Sequence, residues 1–359
     1  MEHASIPIPA EPPIAWHHRH LLDVDVLSWD EIDLVMRTTD AMKEVLARPI
    51  TKVPALRGRN VTILFYEAST RTRVSFEVAA KNLSADVVNI AASSSSVTKG
   101  ESLVDTIRTV QALGAQMLVM RHGTSGAPYL AAEHFAGSVL NGGDGWHAHP
   151  TQALLDLYTM RARLPGGSVR GRKVVILGDI LHSRVARSNI WSLTAAGADL
   201  WLCGPATLLR GLERWAGRAG GFPGHGRFTV TSDVDAALRD ADVVMALRIQ
   251  KERMDSGLLP SLREYTQRFG LTLDRLAGAR QDAIVMHPGP MNEGVEIDPA
   301  VVALDRAVIT DQVANGVAVR MALLYLLSGV HAEVPADGGH AEERHGEEKP
   351  ADGRHADGA

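Results

Sequence analysis

Short apolar runs alternate with amphipathic stretches along most of the chain. Runs rich in Val, Ile, Leu and Met predict strands at residues 61–66, 87–90, 117–120, 139–140, 173–177, 199–202, 228–230, 242–245 and 283–286. Helical spacing and cap residues predict helices at residues 28–46, 71–83, 102–113, 127–135, 150–164 and 312–327. Apolar strands separated by helices are typical of parallel sheets that are covered on both faces.

The strands form two series, which predicts two α/β domains, each a doubly wound parallel sheet. We expect the first domain to comprise residues 21–149 and 306–330, and the second to comprise residues 150–305. Residues 150–164 should form the linking helix at the start of the second domain, because Pro150 suits the first position of a helix. The last helix is apolar on much of its surface, so we expect it to return to the first domain for cover.

Both ends of the chain differ in composition from the two predicted domains. The proline-rich residues 1–20 predict a flexible arm, and residues 331–359, which have almost nothing to bury, predict a disordered tail. That tail holds eight acidic and three basic residues, which accounts for the net charge of −5 of the whole chain. Residues 1–330 are balanced, so no global basic field is present to attract nucleic acid.

Composition narrows the class of protein further. A chain of 359 residues, 45% hydrophobic and 22% charged, is long enough for two globular domains at ~150 residues each. No apolar run approaches the ~20 residues that cross a bilayer, and the amino terminus lacks a secretory pattern. We therefore expect no membrane partner. A single cysteine, Cys203, allows neither an intrachain disulfide nor a cysteine-based metal site, so we expect a reducing, cytoplasmic compartment.

The strongest local signal is Glu-Ala-Ser-Thr-Arg-Thr-Arg at residues 67–73, between a strand and a helix. The N–H groups at a helix start, three hydroxyls and a guanidinium suit a phosphate dianion. The alternative interpretation is a Ser/Thr helix cap with exposed arginines. A second signal spans residues 141–152, where glycines precede His149 and Gln152, whose spacing lets both side chains approach one ligand atom.

These motifs resemble the transcarbamylase family, and the similarity runs from about Leu21 to Leu327. Any single motif could arise by chance, whereas all seven in order could not plausibly do so. They are Ser69-Thr70-Arg71-Thr72-Arg73, Lys99-Gly100-Glu101, Met120-Arg121-His122, His149-Pro150-Thr151-Gln152, Gly178-Asp179 with Ser183-Arg184, Arg248 to Arg253, and His287-Pro288-Gly289-Pro290.

The resemblance, which is closest to the members that use aspartate, implies a specific reaction. The first domain would bind carbamoyl phosphate and the second L-aspartate. The α-amine of aspartate would attack the carbamoyl carbon, giving N-carbamoyl-L-aspartate and phosphate in an early step of de novo pyrimidine (UMP) biosynthesis. No metal or organic cofactor is expected, because protein donors can stabilise the developing charges. We assign no side-chain general base, since the leaving phosphate itself could take the amine's proton.

The resemblance also implies roles for individual residues. Arg71 would neutralise the leaving oxygen, and Gln152 would accept a hydrogen bond from the carbamoyl NH2 group. The catalytic set would be Arg71, Thr72, Lys99, Arg121 and His149. The carbamoyl phosphate site would comprise Ser69, Thr70, Arg71, Thr72, Arg121, His149, Gln152, Pro288 and Gly289. The aspartate site would comprise Lys99, Arg184, Arg248 and Gln250, because two carboxylates call for guanidinium partners.

Two further expectations concern assembly and closure. Residues 93–99 read by themselves as a polar loop, but in the family the corresponding residues, Ser95 and Lys99 here, complete the neighbouring subunit's site, which implies a homotrimer. A larger assembly with dihydroorotase-like or regulatory chains stays open. Glu67, with Arg184 and Arg253, would form either a latch that draws the domains together or a permanent salt bridge.

Four alternative classes fit the sequence less well. Ornithine carbamoyltransferases share the Ser-Thr-Arg-Thr-Arg motif, but their acceptor is cationic and their Cys-containing loop is absent here. A dinucleotide-dependent dehydrogenase would need a three-glycine turn after Leu177. A metal hydrolase would rest on the histidines of residues 17–20, within the proline-rich arm. A non-catalytic scaffold is disfavoured because every catalytic position is filled.

Overall fold

A computed structural model describes residues 15–91, 100–212, 226–250, 258 and 261–329. Its strands are β1 (Asn60–Phe65), β2 (Asp86–Ala91), β3 (Met117–His122), β4 (Ser138–Asp144), β5 (Lys173–Leu177), β6 (Asp199–Cys203), β7 (Arg227–Thr231), β8 (Val243–Ala246) and β9 (Ile284–Met286). Its α-helices are α1 (Trp29–Leu46), α2 (Thr70–Asn82), α3 (Leu103–Ala112), α4 (Ala127–His134), α5 (Pro150–Arg163), α6 (Arg184–Ala195), α7 (Val234–Leu238), α8 (Leu262–Phe269), α9 (Leu273–Leu276), α10 (Pro299–Val302) and α11 (Ile309–Gly329).

The strands form two parallel sheets, as predicted. The first has the order β2-β1-β3-β4, and the second has the order β7-β6-β5-β8-β9. In each sheet the strand order reverses once, between β1 and β3 in the first and between β5 and β8 in the second. The crevice at the carboxyl end of such a reversal is where open α/β sheets bind ligands. The motifs that follow β1, β3, β5 and β8 therefore meet at two facing crevices.

Two long helices connect the parts of the chain. Helix α5 lies between the two strand series and packs against α6, while α11 returns to pack against α1, α2 and α5. Both have apolar residues with no exposed surface, including Leu154 of α5 and Leu323 and Leu324 of α11. Burial of each such side chain contributes about 1.5–3 kcal/mol relative to leaving it exposed. The return of the last helix to the first domain is confirmed.

Residues 15–20 lie against the first sheet, where the sequence predicted the end of a flexible arm. The Trp16 side chain is buried and its indole donates to the carbonyl of His18. The His18 ring pairs with Glu31 at 2.7 Å, and His20 accepts from the backbone N–H of Val139. The contacts of His18 and His20 join residues 13 and 119 positions apart, so the proline pattern of residues 1–20 did not reveal them. Residues 1–14 and the predicted tail, 331–359, lie outside the described residues.

Helix α1 begins as predicted. Ser28 accepts from the backbone N–H of Glu31, and the Glu31 side chain accepts from the backbone N–H of Ser28, which completes a capping box.

Within the described ranges, no helix is both long and apolar enough to cross a membrane.

Candidate active site

The two crevices enclose a cavity of about 630 Å³ that residues of both strand series line. Every predicted site residue within the described ranges lines this cavity. They are Glu67, Ser69, Thr70, Arg71, Thr72, Arg121, His149, Gln152, Arg184, Arg248, Gln250, Pro288 and Gly289. The remaining three, Ser95, Lys99 and Arg253, lie outside the described residues.

The amino end of α2 forms one wall of the cavity. Ser69 precedes the helix with extended backbone, and its side chain makes no capping hydrogen bond. Its hydroxyl is therefore not used as the ordinary cap that the alternative interpretation required. The Arg71 guanidinium packs over Gly289, and burial, with the nearby charge of Arg248, lowers the pKa of Arg71. These N–H groups, hydroxyls and cations suit an oxyanion such as phosphate.

Glu67 joins the first domain to the second at the side of the cavity. Its Oε2 lies 3.1 Å from Nε of Arg121, near the carboxyl end of β3, and 2.5 Å from Nη2 of Arg184, which begins α6. The two arginines also donate to backbone carbonyls, Arg121 to that of Gly142 in β4 and Arg184 to that of Gly145 just after it. One carboxylate thus fixes two guanidinium groups that face the cavity.

His149, at the start of α5, is held through its backbone N–H, and its ring is electrically neutral. Its backbone N–H donates to the hydroxyl of Ser188 at 3.0 Å, and that hydroxyl donates to Asp23. Burial lowers the pKa of the His149 ring well below its usual value, and the charges of Arg121 and other arginines lower it further. At neutral pH the ring therefore carries one N–H donor, which suits polarisation of a carbonyl oxygen.

The loops after β5 and β8 form the opposite wall. Arg248 and Gln250 follow β8, and the backbone N–H of Gln250 donates to Asp179, which follows β5. Asp179 in turn accepts from the ring of His182 at 2.9 Å, with both side chains buried. The buried carboxylate thus ties the Arg248 loop to the β5 loop, so that two guanidinium groups, Arg184 and Arg248, face the same space.

Sequence reasoning missed several residues at the cavity. Arg320 of α11 is buried and donates to Ser75 at 2.8 Å, and Gln312 also lines the wall. His287, which the sequence analysis named within a motif but gave no role, lines it as well. Asp156, fully buried on α5, lies behind Gln152. Two sequence signals could have pointed to them: Arg320 is the single cation of the apolar last helix, and Asp156 is a carboxylate four residues after Gln152.

The histidines of residues 17–20 do not form a metal centre with their surroundings. His18 and His20 are engaged in the contacts with Glu31 and Val139 described above. Within the described part of the chain, no group of three or more His, Cys, Asp or Glu side chains is arranged to hold a metal ion.

Models of two domain families match the chain in succession. The model described as the carbamoyl-P binding domain of aspartate/ornithine carbamoyltransferase matches residues 19–162. The model described as the Asp/Orn binding domain matches residues 170–327. Together they cover both strand series and most of the last helix.

Curated relatives and solved structures agree with these models. The aspartate carbamoyltransferase catalytic subunit of Roseiflexus castenholzii is 60% identical over 90% of this chain and 99% of its own length. That of Dehalococcoides mccartyi is 53% identical over 88% of this chain and 93% of its own.

Among solved structures, aspartate transcarbamoylase from Trypanosoma cruzi in complex with N-(phosphonacetyl)-L-aspartic acid superposes with a TM-score of 0.76. It is 31% identical over 88% of this chain and 98% of its own. An ornithine carbamoyltransferase from Pyrococcus furiosus superposes with the same TM-score, at 26% identity over 88% of this chain and 99% of its own. Fold similarity alone therefore does not separate the two acceptors.

Replacing Gly289 with Ala should displace Arg71 from the cavity. A Cβ atom there would lie 2.7 Å from Cζ of Arg71, and the guanidinium, at the end of a flexible side chain, would move aside. Since a charge-assisted hydrogen bond contributes about 1.5–3 kcal/mol, phosphate affinity should fall roughly tenfold or more. Calorimetric titration with inorganic phosphate measures this.

Gly294→Ala is the matched control. Gly294 has φ +79° against +67° for Gly289, and no atom lies within 4 Å of the position that its new methyl group would take. Both variants therefore place an alanine in the left-handed region, at a cost of about 1–2 kcal/mol, but only Gly289→Ala meets Arg71. Equal phosphate affinity in the two variants would contradict the contact between Gly289 and Arg71 as the cause.

Proposed function

Because the chain belongs to the aspartate/ornithine carbamoyltransferase family, we propose that it transfers the carbamoyl group of carbamoyl phosphate to the α-amine of L-aspartate. The products are N-carbamoyl-L-aspartate and phosphate, in an early step of de novo pyrimidine biosynthesis. One observation carries the choice of acceptor: within the described residues, five arginines line the cavity against a single carboxylate, Glu67. That carboxylate already pairs with Arg121 and Arg184. In the described part of the cavity a cationic ornithine side chain would meet no carboxylate besides this paired one, whereas the second carboxylate of aspartate would meet guanidinium groups.

At the carbamoyl phosphate end, Ser69, Thr70, Thr72 and the start of α2 bind the phosphate group. Arg71 neutralises the charge that grows on the leaving oxygen. Arg121, Thr72 and the neutral His149 donate to the carbamoyl oxygen, which becomes an oxyanion as the amine attacks. The support for this assignment is that all of these side chains line one cavity, with His149 neutral and Arg121 held by Glu67.

At the acceptor end, Arg184 and Arg248 bind the two carboxylates of aspartate, with Gln250 beside them. The backbone carbonyls of Pro288 and Gly289 accept from the carbamoyl NH2 group and the incoming amine. The leaving phosphate, which gains negative charge, accepts the amine's proton.

We also propose a homotrimer, in which Ser95 and Lys99 complete the site of the adjacent subunit. The support is an apolar surface beside the loop that carries them. Strand β2, which ends just before that loop, is an edge strand, and Val88 of β2 is 42% exposed. Val74 and Val78 of α2 are also exposed, at 44% and 38%. Exposed apolar surface of this kind marks interfaces between subunits.

Two broader proposals concern the surroundings of the enzyme. The buried thiol of Cys203 forms no disulfide, which supports a reducing, cytoplasmic compartment. A larger assembly with dihydroorotase-like or regulatory chains is a proposal that rests on the sequence of residues 143–152 alone.

A competition assay tests the reaction. With carbamoyl phosphate and equal concentrations of aspartate and ornithine, we expect N-carbamoylaspartate as the product and no citrulline, because the cavity repels a second cation. Chromatographic separation of the products, on protein whose mass in solution is measured by light scattering, gives acceptor and assembly together. Citrulline as the main product would contradict the proposed acceptor.

A subunit-mixing experiment tests the shared site. Lys99→Ala and Arg121→Ala trimers should each be inactive. In a cyclic trimer every hybrid regains one native site, so random reassembly should restore about a quarter of wild-type activity. Unmixed variants carried through the same dissociation and reassembly are the controls. Hybrid trimers that form but remain inactive would show that Lys99 does not act across the interface.

Replacing Glu67 with Gln distinguishes a latch from a permanent salt bridge. The amide cannot hold Arg184 or Arg121 through charge, so a latch predicts a rise of roughly tenfold in the KM for aspartate and a much smaller rise for carbamoyl phosphate. Steady-state kinetics in both substrates measures this. Asp33→Asn, which removes an exposed ion pair with Arg37 on α1, should change neither constant. Equal changes in both constants for Glu67→Gln, or none, would exclude the latch.

A further inference from the structure

Three side-chain amides converge on one buried carboxylate behind the cavity. Asp156 of α5 has no exposed surface. Its Oδ1 accepts from Nε2 of Gln152 at 2.9 Å and from Nε2 of Gln312 at 2.8 Å. Its Oδ2 accepts from Nδ2 of Asn189 at 3.0 Å. The carboxylate thus joins the linking helix α5 to α6 and α11, although it does not itself line the cavity.

The three amide donors indicate that the carboxylate is ionised although it is buried, because an ionised carboxylate is the form that accepts from all three. Burial raises the pKa of Asp156 to about 6, while the three amides and the positive charge of Arg320 act in the opposite direction. Arg320, also buried, has its pKa lowered to about 10 and so keeps its charge at neutral pH. An ionised carboxylate only accepts hydrogen bonds, so each amide must turn its nitrogen towards Asp156.

That requirement decides which end of Gln152 faces the substrate. With Nε2 bonded to Asp156, the oxygen Oε1 is the end left for the cavity that Gln152 lines. A carbonyl oxygen accepts a hydrogen bond from an NH2 group of a ligand. An amide nitrogen in the same place would instead direct its own N–H groups at those of the ligand, and no hydrogen bond could form.

Gln312 connects Asp156 to the loop that follows β9 through a hydrogen bond at each end of its side-chain amide. Its nitrogen faces Asp156, so its oxygen accepts from the backbone N–H of His287 at 2.8 Å. His287 precedes Pro288 and Gly289, which line the cavity. A backbone N–H can only donate and an ionised carboxylate can only accept, so Gln312 satisfies both in a single orientation.

We propose that Asp156 is a positioning residue for carbamoyl transfer: it points the Gln152 oxygen at the carbamoyl NH2 group and, through Gln312, holds the loop of residues 287–290 in place. The inference rests on the proposed function, because it needs Gln152 to contact the carbamoyl group. Its consequence is selectivity, since an amide oxygen at that point recognises NH2 and gains nothing from a methyl group.

Asp156→Asn should reverse the Gln152 amide. Asn presents one oxygen and one NH2 group to three amide nitrogens, and its NH2 group needs an acceptor. Gln312 is fixed by His287, and Asn189 by a second hydrogen bond, from its nitrogen to the carbonyl of Val185 at 3.0 Å. Gln152 is the amide that can turn, which would place its N–H groups against the carbamoyl NH2 group.

The test compares carbamoyl phosphate with acetyl phosphate, which carries a methyl group in place of NH2. The dissociation constants of both, and of inorganic phosphate, are measured on the full chain by competition titration. In Asp156→Asn we expect the preference for carbamoyl phosphate to fall about tenfold, with phosphate affinity unchanged within about twofold. A role in folding alone would lower stability or weaken all three ligands together.

Control variants make the outcome decisive. Gln152→Ala should lose the same preference, and Asp156→Asn added to it should cause no further loss. Asp242→Asn removes a carboxylate that accepts from Arg172 and Lys173 beside the start of β8, away from the cavity, and should keep the preference. Asp156→Asn could fail to fold because it leaves the buried cation of Arg320 without a neutralising charge. In that case the double variant Asp156→Asn with Arg320→Met is compared with Arg320→Met alone, since both lack this cation.

Two results would overturn the proposal, and they are distinguishable. If Gln152→Ala loses the preference while Asp156→Asn keeps it, Asp156 does not position the amide. If Gln152→Ala itself keeps the preference, Gln152 does not contact the carbamoyl group and the proposed site assignment fails as well. Production of citrulline in the competition assay would instead overturn the acceptor and leave the carbamoyl end intact.

Discussion

The concentration of positive charge in one cavity is the constraint on which the rest of the structure depends. Five arginines line the space between the two sheets, and they repel one another unless anions or carboxylates hold them apart. Glu67 compensates two of them from the side, and Asp156 compensates Arg320 from behind. The carboxylates thus lie where they hold the cations without occupying the places that a substrate anion needs.

The sheet topology makes this arrangement available. Parallel strands direct their carboxyl ends to one edge, and the reversal of strand order opens a crevice there. Each domain contributes the loops that follow the two strands beside its reversal: β1 and β3 in the first, β5 and β8 in the second. The phosphate end and the acceptor end therefore belong to different domains, and Glu67 spans them through Arg184.

Within the described residues, the nine strands and six of the eleven α-helices could be predicted from the sequence because their signals are local, whereas α6 to α10 were not predicted. Apolar runs mark the strands, Ser28 with Glu31 marks the start of α1, and Pro150 marks the start of α5. The cavity residues could be predicted because they occur in short motifs directly after strands. Residues 15–20 were predicted as part of a flexible arm, and the contacts of His18 with Glu31 and of His20 with Val139 depend on partners distant in sequence that no local pattern reveals. Arg320 and Gln312 were missed for the same reason, because only the packing of α11 brings them to the cavity.

Asp156 illustrates what sequence reading leaves out most often, namely the polarity of a buried amide. A motif such as His-Pro-Thr-Gln names Gln152 but does not say which end of its side chain faces the ligand. That choice comes from a group one helical turn away that can only accept, and the same group orients Gln312 from another helix. An amide is nearly symmetric in shape, so packing alone barely distinguishes its two orientations, and hydrogen-bond polarity decides between them. A buried ionised carboxylate, costly to desolvate, is thereby suited to a site that must distinguish NH2 from a methyl group of similar size.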